Sequence, residues 1–88
     1  MSNKRDLKKD LNYVFGDIID AALLWQIANP GEDVAKSEAI IDESIKSFDE
    51  LIAEVNKRGV ENTKAHFKGI RQTLETKATD LVTKINSL

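Results

Sequence analysis

The stretch from Leu7 to Ala28 limits what this chain can fold into more than any other. Its apolar side chains recur at alternating steps of four and three residues, the spacing that places them along one side of an α-helix. The members of this stripe are Leu7, Leu11, Val14, Ile18, Ala21, Trp25 and Ala28. Between residues 18 and 28 only Asp20 and Gln26 are polar. Because a helix this apolar must be covered on most sides, we expect other helices to pack around it.

The first predicted helix covers residues 3–28, and local signals set both of its ends. The Asn3 side chain can accept hydrogen bonds from the free amides of the first turn. At the other end, Asn29 precedes Pro30, and a residue before proline is disfavoured in the helical conformation. The next helix then begins either at Pro30, since proline is favoured as a first helical residue, or as regular helix from about Asp33.

Two more helices are predicted, over residues 33–57 and 63–86. Gly59 can take the left-handed conformation that closes a helix, and Asn62 or Thr63 can cap the helix that follows. The apolar stripe of the second helix consists of Val34, Ile41, Ile45, Phe48, Ile52 and Val55. The stripe of the third helix consists of Phe67, Ile70, Leu74, Ala78, Leu81, Ile85 and Leu88.

Glu38 interrupts the second stripe at a position where the spacing requires an apolar residue. It either pairs with a base of the third helix, such as Arg71, or lies at the edge of the stripe and reaches water. In both cases three helices of similar length are joined by short turns. This pattern predicts an all-α fold, a three-helix antiparallel bundle with up-down-up topology. We expect one domain, residues 1–88.

No pattern in the sequence is typical of a catalytic, cofactor or metal site. The chain has no cysteine, which excludes disulfides and thiolate metal sites, and its glycines are too far apart for a phosphate-binding loop. His66 is the only histidine and is expected to be structural or partly solvated. The carboxylates of the second helix are expected to form a solvated acidic face rather than a metal site. We therefore expect no enzymatic activity, no cofactor and no metal.

The charges are unevenly distributed along the chain. Residues 32–56 carry two lysines and eight carboxylates, net −6, whereas residues 57–88 carry seven basic and three acidic groups, net +4. We therefore expect an acidic second helix beside a basic third one. The start of the chain also has a compact basic cluster, which consists of Lys4, Arg5, Lys8 and Lys9. Phosphate contacts by this cluster give an alternative function, a small nucleic-acid-associated regulator, although the pI of 5.3 argues against it.

The sequence predicts a cytoplasmic protein. Its basic start is typical of a secretion signal, but Asp10, Asp17 and Asp20 interrupt the apolar run and no small-residue cleavage site follows. No window of about 18 uncharged apolar residues is present, so we expect no membrane-spanning segment.

The two ends of the chain resemble those of a known family. Residues 4–14 (KRDLKKDLNYV) and residues 80–88 (DLVTKINSL) are similar to the ends of a family of small uncharacterised helical proteins from gut and oral anaerobic bacteria. The similarity also covers most of the chain in length and layout. The family has no assigned activity, so the resemblance implies an all-helical fold and a bacterial source but no site residues.

A second apolar stripe on the first helix is the feature that points to a function. Ile19, Leu23 and Ile27 lie four residues apart, on nearly the opposite side from the main stripe. A three-helix bundle covers one broad side of each helix, so these side chains are left over as an interaction patch. The alternative is that the first helix is central or tilted, so that the other two helices cover them.

We expect the patch to mediate self-association. The expected interface consists of Tyr13, Gly16, Ile19, Asp20, Leu23 and Ile27. Because two-fold dimers are the commonest homo-oligomers, the expected assembly is a homodimer in which the two copies of the first helix are antiparallel. Another helical protein is the alternative partner, and no small-molecule substrate is indicated. The sequence thus predicts a non-enzymatic protein–protein interaction module.

Overall fold

The computed structural model describes residues 4–88, which form three α-helices. They are α1 (Lys4–Ala28), α2 (Ala35–Val55) and α3 (Thr63–Asn86). All three pairs of helices are in contact, so the predicted all-α three-helix bundle is confirmed. The predicted helix ends differ from the observed ones by at most two residues. The proposed cap at Asn3 lies outside the described residues.

Turn residues define where α2 begins and where α3 is capped. α2 begins at Ala35, later than the alternative start at Pro30, and the Ala35 amide donates to Asp33 Oδ1 at 2.9 Å. Before α3, Gly59 has a φ of +73°, the left-handed conformation that glycine adopts at little cost. Asn62 is the cap of α3, because its Oδ1 accepts a hydrogen bond from the Ala65 amide at 3.1 Å.

Replacing Asn62 with alanine is expected to lower the free energy of unfolding by about 1 kcal/mol, since the side-chain acceptor for a first-turn amide is lost. Urea unfolding followed by circular dichroism measures this change. Thr63→Ala is the matched control and should have a smaller effect, because Asn62 and not Thr63 provides the cap. Equal losses in the two variants would contradict this assignment.

The buried side of α1 overlaps the predicted stripe but is rotated from it. Leu7, Leu11 and Ile18 of that stripe are buried as expected, together with Phe15 and Ala22, which the stripe did not include. Val14, Ala21 and Trp25 of the predicted stripe are only partly buried. At 3.6 residues per turn the buried side is rotated from the predicted one by about 50°. The reason is α2, which packs on this side and places the ring of Phe48 edge-on to Phe15, with centroids 6.1 Å apart.

The prediction for α2 is also wrong in part, because buried serines take up much of its inner side. The buried residues are Ser37, Ile40, Ser44, Ser47, Leu51 and Val55. Of the predicted stripe, Val34 and Ile45 are 43% and 47% exposed. Serine is tolerated in the core where its hydroxyl has a partner, and Ser44 Oγ donates to the Ile40 carbonyl at 2.7 Å. Small inner side chains let α2 pack closely, and they leave larger ones on its outer flank.

The inner side of α3 agrees with the prediction. Ile70, Leu74 and Leu81 are buried. The other four residues of the predicted α3 stripe pack against the core and are partly buried: Phe67, Ala78, Ile85 and Leu88. The bundle measures 51 × 17 × 17 Å. In the part of the chain that the structure describes, no helix combines the length and apolar character needed to cross a membrane.

Candidate functional site

The residues proposed for self-association lie on the outer side of α1, but they are not equally accessible. Tyr13, Leu23 and Ile27 are 62%, 42% and 76% exposed, and Asp20 is exposed too. Gly16 and Ile19 are only partly buried. The other two helices therefore leave Leu23 and Ile27 exposed, whereas they cover part of Ile19.

The contacts of α1 show which neighbour this patch adjoins. Gln26 Nε2 donates to Ser37 Oγ of α2 at 2.8 Å, which marks the side that faces α2. On the other side, Asp10 pairs with Arg71 of α3 at 3.0 Å. At about 100° per residue, Leu23 lies about 60° beyond Gln26 in the direction away from α3. The patch is thus on the flank of α1 next to α2.

The outer flank of α2 carries apolar side chains beside this patch. The side of α2 that faces α3 is marked by Glu43, whose Oε2 lies 2.7 Å from Lys84 Nζ, and the side that faces α1 is marked by Phe48. Ile41 and Ile45 lie beyond Phe48, away from α3. Together the two helices form one surface, which we call the α1–α2 apolar face. Its members are Ile19, Leu23 and Ile27 of α1 with Val34, Ile41 and Ile45 of the α2 side.

Sequence reasoning missed the α2 half of this face because Val34 and Ile45 were assigned to the core. It also missed Leu24, which is 64% exposed but lies about 100° around α1 from Leu23, outside this face. The spacing of the serines in the sequence could have indicated which side of α2 is buried, and thus which side is exposed. Ser37, Ser44 and Ser47 follow steps of seven and three, a helical stripe that competes with the isoleucine stripe.

Charged residues line the two edges of the α1–α2 apolar face. The α2 edge has Glu38, Asp42 and Asp49, all exposed. The α1 edge has Asp20 and Lys9, whose Nζ lies 5.9 Å from the centroid of the Tyr13 ring.

Glu38 does not pair with Arg71. Gln26 Nε2 donates to Glu38 Oε1 at 3.3 Å, whereas Arg71 bonds Asp10. Of the two interpretations of Glu38, the edge position is therefore correct.

The four basic residues at the start of α1 do not lie on one line. Lys4, Arg5 and Lys9 are exposed and Lys8 is partly buried. At 3.6 residues per turn they spread over about 140° of the helix surface. Lys4 and Lys8 lie toward α2, and Arg5 and Lys9 lie toward the α1–α2 apolar face. Their contact with nucleic acid stays a prediction.

His66 occupies a structural position between helices. Its Nε2 lies 2.7 Å from the Glu54 carbonyl oxygen and 4.0 Å from the Glu54 carboxylate, so it links the last turn of α2 to the first turn of α3. Within residues 4–88, no three acidic or histidine side chains are grouped so that they could hold a metal ion.

An open groove runs along the junction of α2 and α3. Its largest part, about 710 Å³, lies beside His66 and exists because small residues such as Ala53, Ala65 and Gly69 line it. Farther along, a part of about 320 Å³ ends at Leu88. Between them Lys84 of α3 pairs with Glu43 of α2 and with Asp80 of its own helix, and these hydrogen bonds raise the pKa of Lys84 above its ordinary value. The Lys84–Glu43 pair, an ordinary surface ion pair, bridges the groove.

Comparison with known proteins gives no relative for this chain. The family resemblance suggested by residues 4–14 and 80–88 therefore stays a prediction. No protein-family model, no curated protein and no solved structure matches the sequence or the fold.

Proposed function

We propose that this protein is a non-enzymatic interaction module that associates with a second copy of itself. The observation that carries the proposal is the exposure of Leu23 and Ile27 beside Val34 and Ile45 on the α1–α2 apolar face. Contiguous apolar surface on a small domain is typical of interaction sites. Full burial of a large aliphatic side chain contributes about 1.5–3 kcal/mol, so burying the exposed part of these side chains favours association.

Gly16 supports the same interpretation. It lies on the patch flank of α1, and a Cβ built at this position would meet no other atom within 4 Å. The glycine is therefore not required by packing inside the bundle, yet it destabilises a helix by about 0.5–1 kcal/mol relative to alanine. Gly16 has a role if it lets the backbone of a second copy approach α1 closely at this point.

Light scattering of the intact chain over a concentration series is expected to give twice the monomer mass of 9.8 kDa. Leu23→Glu should convert the protein to a folded monomer, because it places a charge in the buried centre of the interface. Val82→Glu is the matched control. Val82 lies on α3, outside the face, and is 45% exposed, compared with 42% for Leu23, so this variant should keep the mass of the dimer.

Two results would contradict the proposal. One is a monomer at all concentrations for the unaltered chain, and the other is a dimer that Leu23→Glu leaves intact. If the unaltered chain is a monomer, another helical protein becomes the expected occupant of the face.

A further inference from the structure

We infer that the end of the bundle where α1 and α3 begin is a second interaction surface, which contacts the phosphate backbone of double-stranded nucleic acid without reading its bases. We call this surface the basic end; it consists of residues 4–10 and 54–71. It enlarges the basic cluster of the first helix with residues of the α2–α3 turn. It shares no residue with the α1–α2 apolar face and is therefore independent of the proposed self-association.

The topology of the bundle brings separate basic segments together at this end. His66 in the first turn of α3 bonds to the Glu54 carbonyl in the last turn of α2, so these two helices are level here. The start of α1 lies beside their connection. Lys4 of α1 and both Lys57 and Arg58 of the turn line one cavity of about 250 Å³, although Lys4 is far from the other two in the sequence.

Charge is divided along the long axis of the bundle. The basic end carries nine basic and four acidic groups, net +5, whereas the rest of the described chain carries four basic and eleven acidic groups, net −7. The pI of 5.3 averages the two parts, so it argues against contact by the whole surface but not by one end. At a helical rise of 1.5 Å per residue the basic end takes up about 12 Å of the rod. The rod is 51 Å long. Since charges are screened beyond about 8 Å at physiological salt, most of the acidic part is too far away to cancel the field at the basic end.

The basic side chains of this end have few partners within the protein. Within residues 4–88, Arg71 is the one lysine or arginine of the basic end that pairs with a carboxylate, that of Asp10. By contrast, Lys84 in the acidic part pairs with two carboxylates. Like charges that are close together repel each other, and a polyanion in contact with them removes this repulsion. The exposed side chains available to it include Lys4, Arg5, Lys57, Arg58, Lys64 and Lys68.

The chemistry of this end fits a row of phosphates better than another class of partner. The core of a protein–protein interface is depleted in charged residues, and among the described residues every exposed large apolar side chain lies outside the basic end. This absence also removes the apolar groups that insert into a membrane and the aromatic rings on which unpaired bases stack. The end is 17 Å wide. Because one strand of B-DNA has a phosphate about every 3.4 Å, about five phosphates of that strand span it.

Binding of a fluorescently labelled DNA duplex of mixed sequence, followed by anisotropy over a salt series, tests the inference. The logarithm of the affinity should fall with the logarithm of the salt concentration with a slope of about −4, the value for four to five phosphate contacts. Lys57→Gln/Arg58→Gln should lower the affinity at least tenfold at low salt and make the slope less steep by about 2. Lys36→Gln/Lys46→Gln is the matched control. It changes the net charge equally but in the acidic part, and should leave the affinity within twofold.

Equal losses in the two double variants, or a slope close to zero, would overturn the inference. Tighter binding to the single strand, to vesicles that contain phosphatidylserine or to polyglutamate than to the duplex would overturn it in favour of that partner. Both double variants replace exposed side chains, and circular dichroism checks that they fold. Light scattering separates this test from that of self-association, because Lys57→Gln/Arg58→Gln should have the same mass as the unaltered chain.

Discussion

Replacing Phe15 with alanine is expected to lower the free energy of unfolding by about 3–5 kcal/mol, the usual loss when a buried phenylalanine is truncated. Phe15 is 1% exposed, and its ring packs edge-on against Phe48. Removing it leaves a cavity between α1 and α2. For a domain of this size the loss is a large part of the total stability.

Urea unfolding at a fixed protein concentration measures this loss. Leu24→Ala removes an exposed apolar side chain from the same helix and should change stability by less than about 0.5 kcal/mol. Val14→Ala tests the orientation of α1, because Val14 belongs to the stripe expected from the sequence and is only partly buried. A larger loss for Val14→Ala than for Phe15→Ala would mean that the observed rotation of α1 is wrong.

Replacing Ser44 with leucine is expected to destabilise the protein by about 1–3 kcal/mol, although the change increases hydrophobicity. Ser44 is fully buried where α2 approaches its neighbours, so a larger side chain forces the helices apart. Ser44→Ala is the matched control and should be nearly neutral. It removes only the bond from Oγ to the Ile40 carbonyl, an oxygen within the same helix.

Comparing the two variants separates the effect of side-chain size on stability from the effect of losing the hydroxyl group. Both are measured by urea unfolding and by thermal melting. If Ser44→Leu stabilises the protein, the space around Ser44 is not filled, and the isoleucine flank of α2 is the better candidate for the core.

The helix boundaries were predictable because they depend on local chemistry. Pro30 and Asn62 act on their immediate neighbours, and Asn62 caps α3 as expected. Gly59 has the predicted left-handed φ, but it does not close α2, which already ends at Val55 with Asn56 as its cap. The rotation of α1 and α2 was not predictable in the same way. Whether Val14 or Phe15 is buried depends on how closely α2 approaches, and that depends on serines that a hydrophobic pattern counts as polar.

The same cause explains what could be predicted of the candidate site. Leu23 and Ile27 were identified because they lie opposite an apolar stripe on their own helix. Ile45 was assigned to the core because its own helix offers an apolar stripe with the usual spacing. Its exposure follows only from contacts between helices, in which buried serines displace it.

The rod shape of the bundle has a consequence for how association changes its motion in solution. At 51 × 17 × 17 Å the single chain is three times as long as it is wide, so it tumbles more slowly end over end than about its long axis. Side-by-side pairing thickens the rod without lengthening it and makes rotational diffusion more isotropic. Pairing at the ends would have the opposite effect. The four turns of two such chains would also lie at the two ends of one short cylinder, leaving its acidic and basic sides free for other molecules.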